Sequence, residues 1–154
     1  MKAKFSNLKF KNYILKNSKF STTLKSGDNV LTVKKKIHNR LFNVDFDIFE
    51  NADNQNLFYI ELVIDSFPNV KRKTSGYDFQ ISLIANFELE NSENIAEEKQ
   101  NQYVLYSALP MVISIARSEI SHITSNGMFG KYILPAINLP ELVDEYIKKE
   151  QVDE

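Results

Sequence analysis

The chain of 154 residues contains no cysteine and no tryptophan. Without a thiol there is no disulfide, no thiolate zinc site and no cysteine nucleophile, a usage that fits a reducing compartment. Glycine and proline number four each, and histidine two. No glycine-rich phosphate loop, GxSxG elbow or HExxH pair occurs. No apolar run approaches the roughly 20 residues that a membrane span needs. The first residues, MKAKFSNLKFKNYILKN, are basic but lack the continuous apolar core of a signal peptide. Charge of one sign is missing too. With 19 Lys and Arg against 20 Asp and Glu, the net charge is -1, which does not suit a nucleic-acid partner. These absences predict a cytoplasmic protein with no membrane insertion, and the length suits one domain over residues 1–154.

What is present is alternation, then helical spacing. Residues 4–16 are strand-like with poor alternation, and 17–40 are polar, with a turn at Ser26-Gly27-Asp28-Asn29 and a short strand expected at Val30–Val33. Three later segments keep a strict period of two. In 41–49 the apolar face is Phe42, Val44, Phe46 and Ile48. In 57–65 it is Phe58, Ile60, Leu62 and Ile64, and in 77–89 it runs from Tyr77 through Phe79, Ile81, Leu83, Ala85 and Phe87 to Leu89. Short polar links make antiparallel neighbours the economical reading.

From about Gln100 the spacing turns helical, with Val104, Ala108, Met111, Ile115, Ile120 and Ile123 on one stripe. Pro110 predicts a kink. Asn126-Gly127 predicts the stop, and Pro140 opens a short last helix. Strands followed by helices predict an α+β fold: a four-stranded antiparallel sheet with a long kinked helix and a short C-terminal helix packed on one face. Tyr103, Leu105, Tyr106, Leu109, Val112, Ile113 and Ala116 lie off the first helical stripe. One sheet covers one stripe, so a second needs a subunit interface or a groove for other chains.

The polar faces of the three clean strands carry Asp45, Asp47, Glu61, Asp65, Asp78 and Glu88 and no Lys or Arg. Such a face is either solvated, its acids discouraging edge pairing, or a docking surface for a basic partner. The basic runs Lys34–Lys36 with His38 and Arg40, and Lys71–Arg72–Lys73, lack interleaved aromatics and read as solvated loops. His122, with Glu119 and Ser118 before it, has no second ligand-rich motif near it, so no metal is expected. Nothing on an exposed face prepares a carboxylate as a general acid, and no residue set nominates an enzyme. Arg117 sits in the apolar helix, where an arginine usually snorkels or pairs locally, with Glu141 or Asp144 as a candidate partner across the two helices.

The ordered pieces Phe79, Ala85-Asn86-Phe87, Leu109-Pro110, Ser114-Ile115-Ala116-Arg117, Asn126-Gly127-Met128-Phe129 and Leu134-Pro135-Ala136-Ile137-Asn138-Leu139 resemble the SecB family of export chaperones over about residues 77–146. Ser114-Ile115 stands where the family has Pro-Tyr, and Gly130 and Leu139 replace a family proline and phenylalanine. The resemblance implies a homotetramer, a dimer of dimers. It would hold unfolded polypeptides in apolar grooves, without ATP or any cofactor, and keep preprotein-type clients competent for translocation. It carries client-binding positions onto Phe79, Ile81, Leu83, Phe87, Ile115 and Val143. It also implies that the acids at Asp45, Asp47, Glu61, Asp65 and Asp78 form a docking face for the SecA motor. A dedicated chaperone for one partner, such as the antitoxin of a toxin–antitoxin pair, is the alternative that it carries.

Overall fold

The computed structural model describes residues 6–37, 42–66 and 74–153. His38, Arg40 and the basic run 71–73 lie outside them. Four strands form one antiparallel sheet: β1 (Leu8–Thr23), β2 (Asn43–Asn51), β3 (Asn54–Asp65) and β4 (Gly76–Leu89), in the order β1-β4-β3-β2. The expected α+β architecture is what the chain adopts. The three alternating segments are β2, β3 and β4, in a continuous register from Leu57 opposite Glu88 to Asp65 opposite Gln80.

β1 is longer than its sequence pattern suggests, and two bulges are the reason. Its pairing with β4 shifts between Phe10 and Asn12 and again between Leu15 and Asn17. Each bulge inserts one residue, Lys11 or Lys16, and so restores the facing of the next segment. With those residues skipped, Leu8, Phe10, Tyr13, Leu15 and Phe20 all fall opposite the buried face of β4, and Lys9, Asn12, Ile14 and Lys19 on the other. A strict period-two search loses phase at each insertion, which is why the alternation looks poor.

The short strand expected at Val30–Val33 is a helix, α1 (Val30–Lys36). Asn29 caps it, its side chain accepting from the Leu31 N–H at 2.8 Å. Val30, Val33 and the buried Ile37 lie at helical spacing, so β-branching gave the wrong answer where spacing gave the right one.

The long helix comes in three pieces: α2 (Glu97–Tyr103), a π-helical turn at Val104–Ala108, and α3 (Leu109–Thr124) with Pro110 in its first turn. Proline has no N–H to give to the preceding turn, and a π turn adds one residue to the spacing there. That residue rotates the buried stripe. Leu109, Val112, Ala116 and Ile120 meet the sheet, whereas Met111 is 40% exposed. The stripe expected through Met111 and Ile115 is therefore misphased, and residues assigned to a second stripe form the first. A last helix, α4 (Leu139–Asp153), follows an irregular connection.

The core lies between the helices and one sheet face. Tyr77, Phe79, Ile81, Leu83, Ala85 and Phe87 of β4 are completely buried, as are Ile60, Leu62 and Ile64 of β3. The turn after α3 is fixed by Thr124, whose buried hydroxyl donates to Ile120 O at 2.8 Å and accepts from the Tyr132 N–H at 2.9 Å. Thr124→Val keeps the shape but leaves that N–H unpaired, and is expected to cost about 1–3 kcal/mol in urea unfolding. A Val variant as stable as the parent contradicts this role.

Candidate functional site

α4 lies along the inner side of β2. Its apolar residues Leu139, Leu142, Val143, Tyr146 and Ile147 recur at helical spacing. Val143 is fully buried, and Tyr146 stacks on Phe46 of β2 with ring centroids 4.5 Å apart. Asn138 starts the helix, its side-chain amide donating to Glu141 at 2.9 Å. Lys149 reaches Asp45 at 3.5 Å, but both are exposed, so this pair fixes little.

A cleft opens at each end of this packing. The larger, about 530 Å³, lies between the end of the β2–β3 hairpin, the π turn and α4. Its apolar wall is Ile48, Phe58, Leu89, Val104, Leu105 and Ile147, and its rim is Glu50, Gln55, Gln100 and Asn101. Gln100 is held in place, donating to the carbonyls of Ser92 and Ile95 at 2.9 and 2.8 Å. The smaller cleft, about 390 Å³, lies under the start of α4 and is lined by Phe42, Val44, Ile137 and Leu142, with Glu141 and Glu145 at its mouth. Between the two, α4 covers the inner face of β2, with Val143 buried and Tyr146 on Phe46. Open clefts with an apolar wall, a polar rim and no converging titratable set among the described residues suit an extended segment better than a reacting small molecule.

The floor of the connection into α4 is set by Arg117. It does not pair with Glu141 or Asp144. Its Nε donates to Leu134 O at 3.1 Å and a terminal nitrogen to Pro135 O at 3.3 Å. The guanidinium fork thus satisfies two carbonyls of a loop that has no ladder of its own.

The residues carried over as client-binding occupy different places. Phe79, Ile81, Leu83, Phe87 and Val143 are fully buried in the core, and Ile115 is half-buried. In this conformation none of the first five presents a surface to another chain, because the helices already cover the middle of the sheet. The open apolar surface lies instead at the two margins. At the β2 margin it is the two clefts. At the β1 margin Phe10, Tyr13, Leu15 and Phe20 are each 36–40% exposed on the helix side. Tyr13 donates from its hydroxyl to Glu119 at 2.8 Å, which ties the strand to α3. Of the cleft residues, Val44, Ile48 and Phe58 were legible from the alternation of β2 and β3; the exposed apolar residues of β1 were hidden by the bulges.

The outer sheet face is not uniformly acidic. β1 brings Lys9, Lys11 and Lys16 to it, paired with Glu90 at 2.5 Å, Glu88 at 2.7 Å and Glu61 at 2.5 Å. The hydrogen bond to Glu90 raises the Lys9 ammonium above its ordinary pKa, and that from Lys11 holds Glu88 below its own. Asp78 is buried, and Asp65 accepts from Gln80 at 3.2 Å. Of the five acids expected to form a docking face, Glu61 is neutralised and Asp78 is not on the surface. Asp45 and Asp47 remain exposed, at the β2 edge. The expectation overlooked β1, whose lysines could not be placed on a face without its bulges. Among the described residues no group of His, Asp and Glu is arranged to hold a metal ion, and no helix is long and apolar enough to cross a membrane.

No family model matches the chain, and no curated protein does. Solved structures do. The Mycobacterium tuberculosis protein Rv1957, a SecB-like chaperone in complex with a ChAD peptide from the Rv1956 HigA1 antitoxin, is similar at 10% identity with a TM-score of 0.55. The match covers 84% of this chain and 90% of that one. A Streptococcus agalactiae protein of unknown function covers 84% of this chain at 9% identity with a TM-score of 0.39. A TM-score above one half across nine-tenths of the mycobacterial chain shows that this protein has the SecB-like fold.

Proposed function

We propose that the protein is an ATP-independent holding chaperone that binds unfolded polypeptide segments in the clefts beside β2 and under α4. The observation that carries this reading is a pair of clefts that flank α4, each with an apolar wall and a polar rim, and with no catalytic set among the described residues that line them. Affinity would come from apolar burial, about 25 cal/mol per Å² before ordering costs. The exposed apolar residues of β1, with Tyr106 and Met111 on the helix, favour a homo-oligomer, and we read it as the tetramer that the SecB resemblance implies. A general export role through SecA has weaker support, because lysines of β1 neutralise much of the acidic face. A dedicated role is favoured by the mycobacterial neighbour, whose bound ligand is a peptide from an antitoxin.

At stoichiometric amounts the protein is expected to delay the aggregation of a reduced, unfolded client without nucleotide. Ile147→Glu places a charge in the apolar wall of the larger cleft, at a residue already 40% exposed. It is expected to weaken this protection several-fold and to leave stability within about 0.5 kcal/mol. A parent protein that gives no protection sinks the proposal. Protection untouched by Ile147→Glu moves the site away from the cleft.

A further inference from the structure

Charge is segregated along the strand direction, which the net value of -1 conceals. At one end of the sheet β1 stops and β4 starts, with Thr23 opposite Gly76. The chain after β1 is tied there: the Lys25 N–H donates to the Ser75 hydroxyl at 2.8 Å, and that hydroxyl donates to Asp28 at 2.5 Å. The turn after α3 joins the same end. Phe129 packs on Tyr77 with ring centroids 5.2 Å apart, and the Lys34 side chain lies beside Gly130. Lys25, Lys34, Lys35, Lys36 and Lys131 thus gather at one corner, and none has an ion-pair partner among the described residues. The acids near them are occupied or set apart. Asp28 is held by Ser75, Asp65 accepts from Gln80, Asp78 is buried, and Glu141 and Glu145 lie across the sheet beside β2. At the opposite end acids prevail, with Glu50 and Asp53 at the β2–β3 hairpin and Glu93, Glu97 and Glu98 leading into α2. The basic segments also carry exposed aliphatic side chains: Leu24 at 41%, Leu31 at 69% and Met128 at 54%. Val30, Val33 and Ile37 of α1 and its C-cap turn to the core, which leaves Leu31 and Lys35, four residues apart, together on the outer side.

We propose that this corner docks the protein on an anionic lipid surface, with the lysines on the headgroups and Leu24, Leu31 and Met128 set into the interface. The contact is peripheral and needs no spanning segment. Each lysine close to such a surface strengthens binding about fivefold, and buried aliphatic side chains add apolar area to the electrostatic attraction. The exposed apolar side chains on these segments are aliphatic, whereas Phe129 and Tyr77 are buried. Aliphatic side chains suit acyl chains, and exposed rings suit stacked bases, so the corner fits lipid better than nucleic acid. Charge also sets the orientation, because the acidic end is repelled by the same surface. The larger cleft, with Glu50 on its rim, lies at that end and opens toward water in the docked molecule. None of the lysines lines either cleft, so docking and client holding use separate surfaces.

The test is co-sedimentation of the full-length protein with vesicles of phosphatidylcholine alone, and with vesicles of phosphatidylcholine and phosphatidylglycerol in equal parts. Binding is expected to the second kind only, and to fall as salt is added. Lys35→Gln with Lys131→Gln removes one exposed charge from each of two segments and is expected to weaken binding about 30-fold. Leu31→Ser leaves the charge unchanged and is expected to weaken binding several-fold. Both variants are surface changes and are expected to unfold in urea at the parent's midpoint. Should one of them fail to fold, Lys36→Gln alone is expected to weaken binding about fivefold. No binding to the anionic vesicles, equal binding to both kinds, or binding untouched by the loss of the lysines overturns the proposal. Tighter binding of a single-stranded oligonucleotide than of the vesicles, with Leu31→Ser without effect, overturns it too and assigns the corner to nucleic acid.

Discussion

Phe79→Ala is expected to lower the free energy of unfolding by about 3–5 kcal/mol. The ring is completely buried near the start of β4 and packs on Tyr132 with centroids 5.2 Å apart. Across the sheet edge it lies opposite Phe20 of β1. Its backbone is pinned as well, the N–H donating to the Ser66 hydroxyl at 2.8 Å. Truncation removes apolar contacts and leaves a cavity that rigid neighbours on the sheet cannot fill. The same residue was a client-binding candidate on sequence grounds, so the variant separates two roles. A core residue loses stability and leaves client affinity per folded molecule unchanged. A groove residue loses affinity at unchanged stability. Should the alanine variant fail to fold, Phe79→Leu is expected to show the same pattern at about 1–1.5 kcal/mol. Normal stability with lost binding for either variant contradicts the placement.

The second large effect is expected at Gly127. A Cβ there would overlap the Tyr77 hydroxyl and sit 2.7 Å from its Cζ. Tyr77 has no room to move: it is completely buried, it meets Phe20 and Phe129 with ring centroids 4.9 and 5.2 Å away, and its hydroxyl accepts from the Phe129 N–H at 2.7 Å. Burial raises the Tyr77 hydroxyl above its ordinary pKa, against the opposing pull of its backbone hydrogen bonds. Gly127→Ala therefore forces apart the tyrosine and the turn, at a cost of about 2–4 kcal/mol. Combining it with Tyr77→Phe removes the nearest overlapping atom, the hydroxyl oxygen, and leaves the ring carbon Cζ at 2.7 Å. The double variant should be less destabilised than the sum of the singles, by about 1 kcal/mol or more. Strict additivity in urea unfolding means that the two side chains do not meet.

How far the sequence predicted the molecule depended on whether its periods stayed in phase. β3 and β4 pair without a shift, and β2 keeps its register on β3 from Asn43 to Glu50, with the irregularity confined to Glu50/Asn51 beside the hairpin turn, so their buried residues follow directly from alternation. β1 carries two bulges, so its apolar face reads as noise until β4 supplies a register. The π turn before Pro110 does the same to the helix, where it exchanged Met111 for Leu109 and Val112 on the buried side. Pro110 announced a break but not the direction of the phase change. Asn126-Gly127 marked the end of the helix, but Gly127 does not take the left-handed conformation that a glycine stop exploits. What requires glycine is the Tyr77 hydroxyl, which an added Cβ would overlap, a contact between distant positions that lies beyond local pattern.

The candidate site was legible in outline and not in place. Pro140 marked the start of the last helix, but its apolar face was not read. The acids at positions 45 and 47 marked the exposed side of β2. What sequence could not settle is which apolar residues the molecule spends on its own core. The strongest alternation, in β4, marks the most buried strand, because a central strand under a helix has the least freedom to vary. The open surface sits at the margins, where burial is partial and patterns are weaker.

The most direct test of the central claim is hydrogen–deuterium exchange of the native protein with and without a reduced, unfolded client, after light scattering has established that a complex forms. The account predicts a stable complex with the unfolded client and none with its folded form. It predicts slowed exchange in Asn43–Asn51 and Leu139–Asp153, the strand and helix that frame the clefts. Failure to form a complex, or protection confined to segments away from β2 and α4, contradicts it.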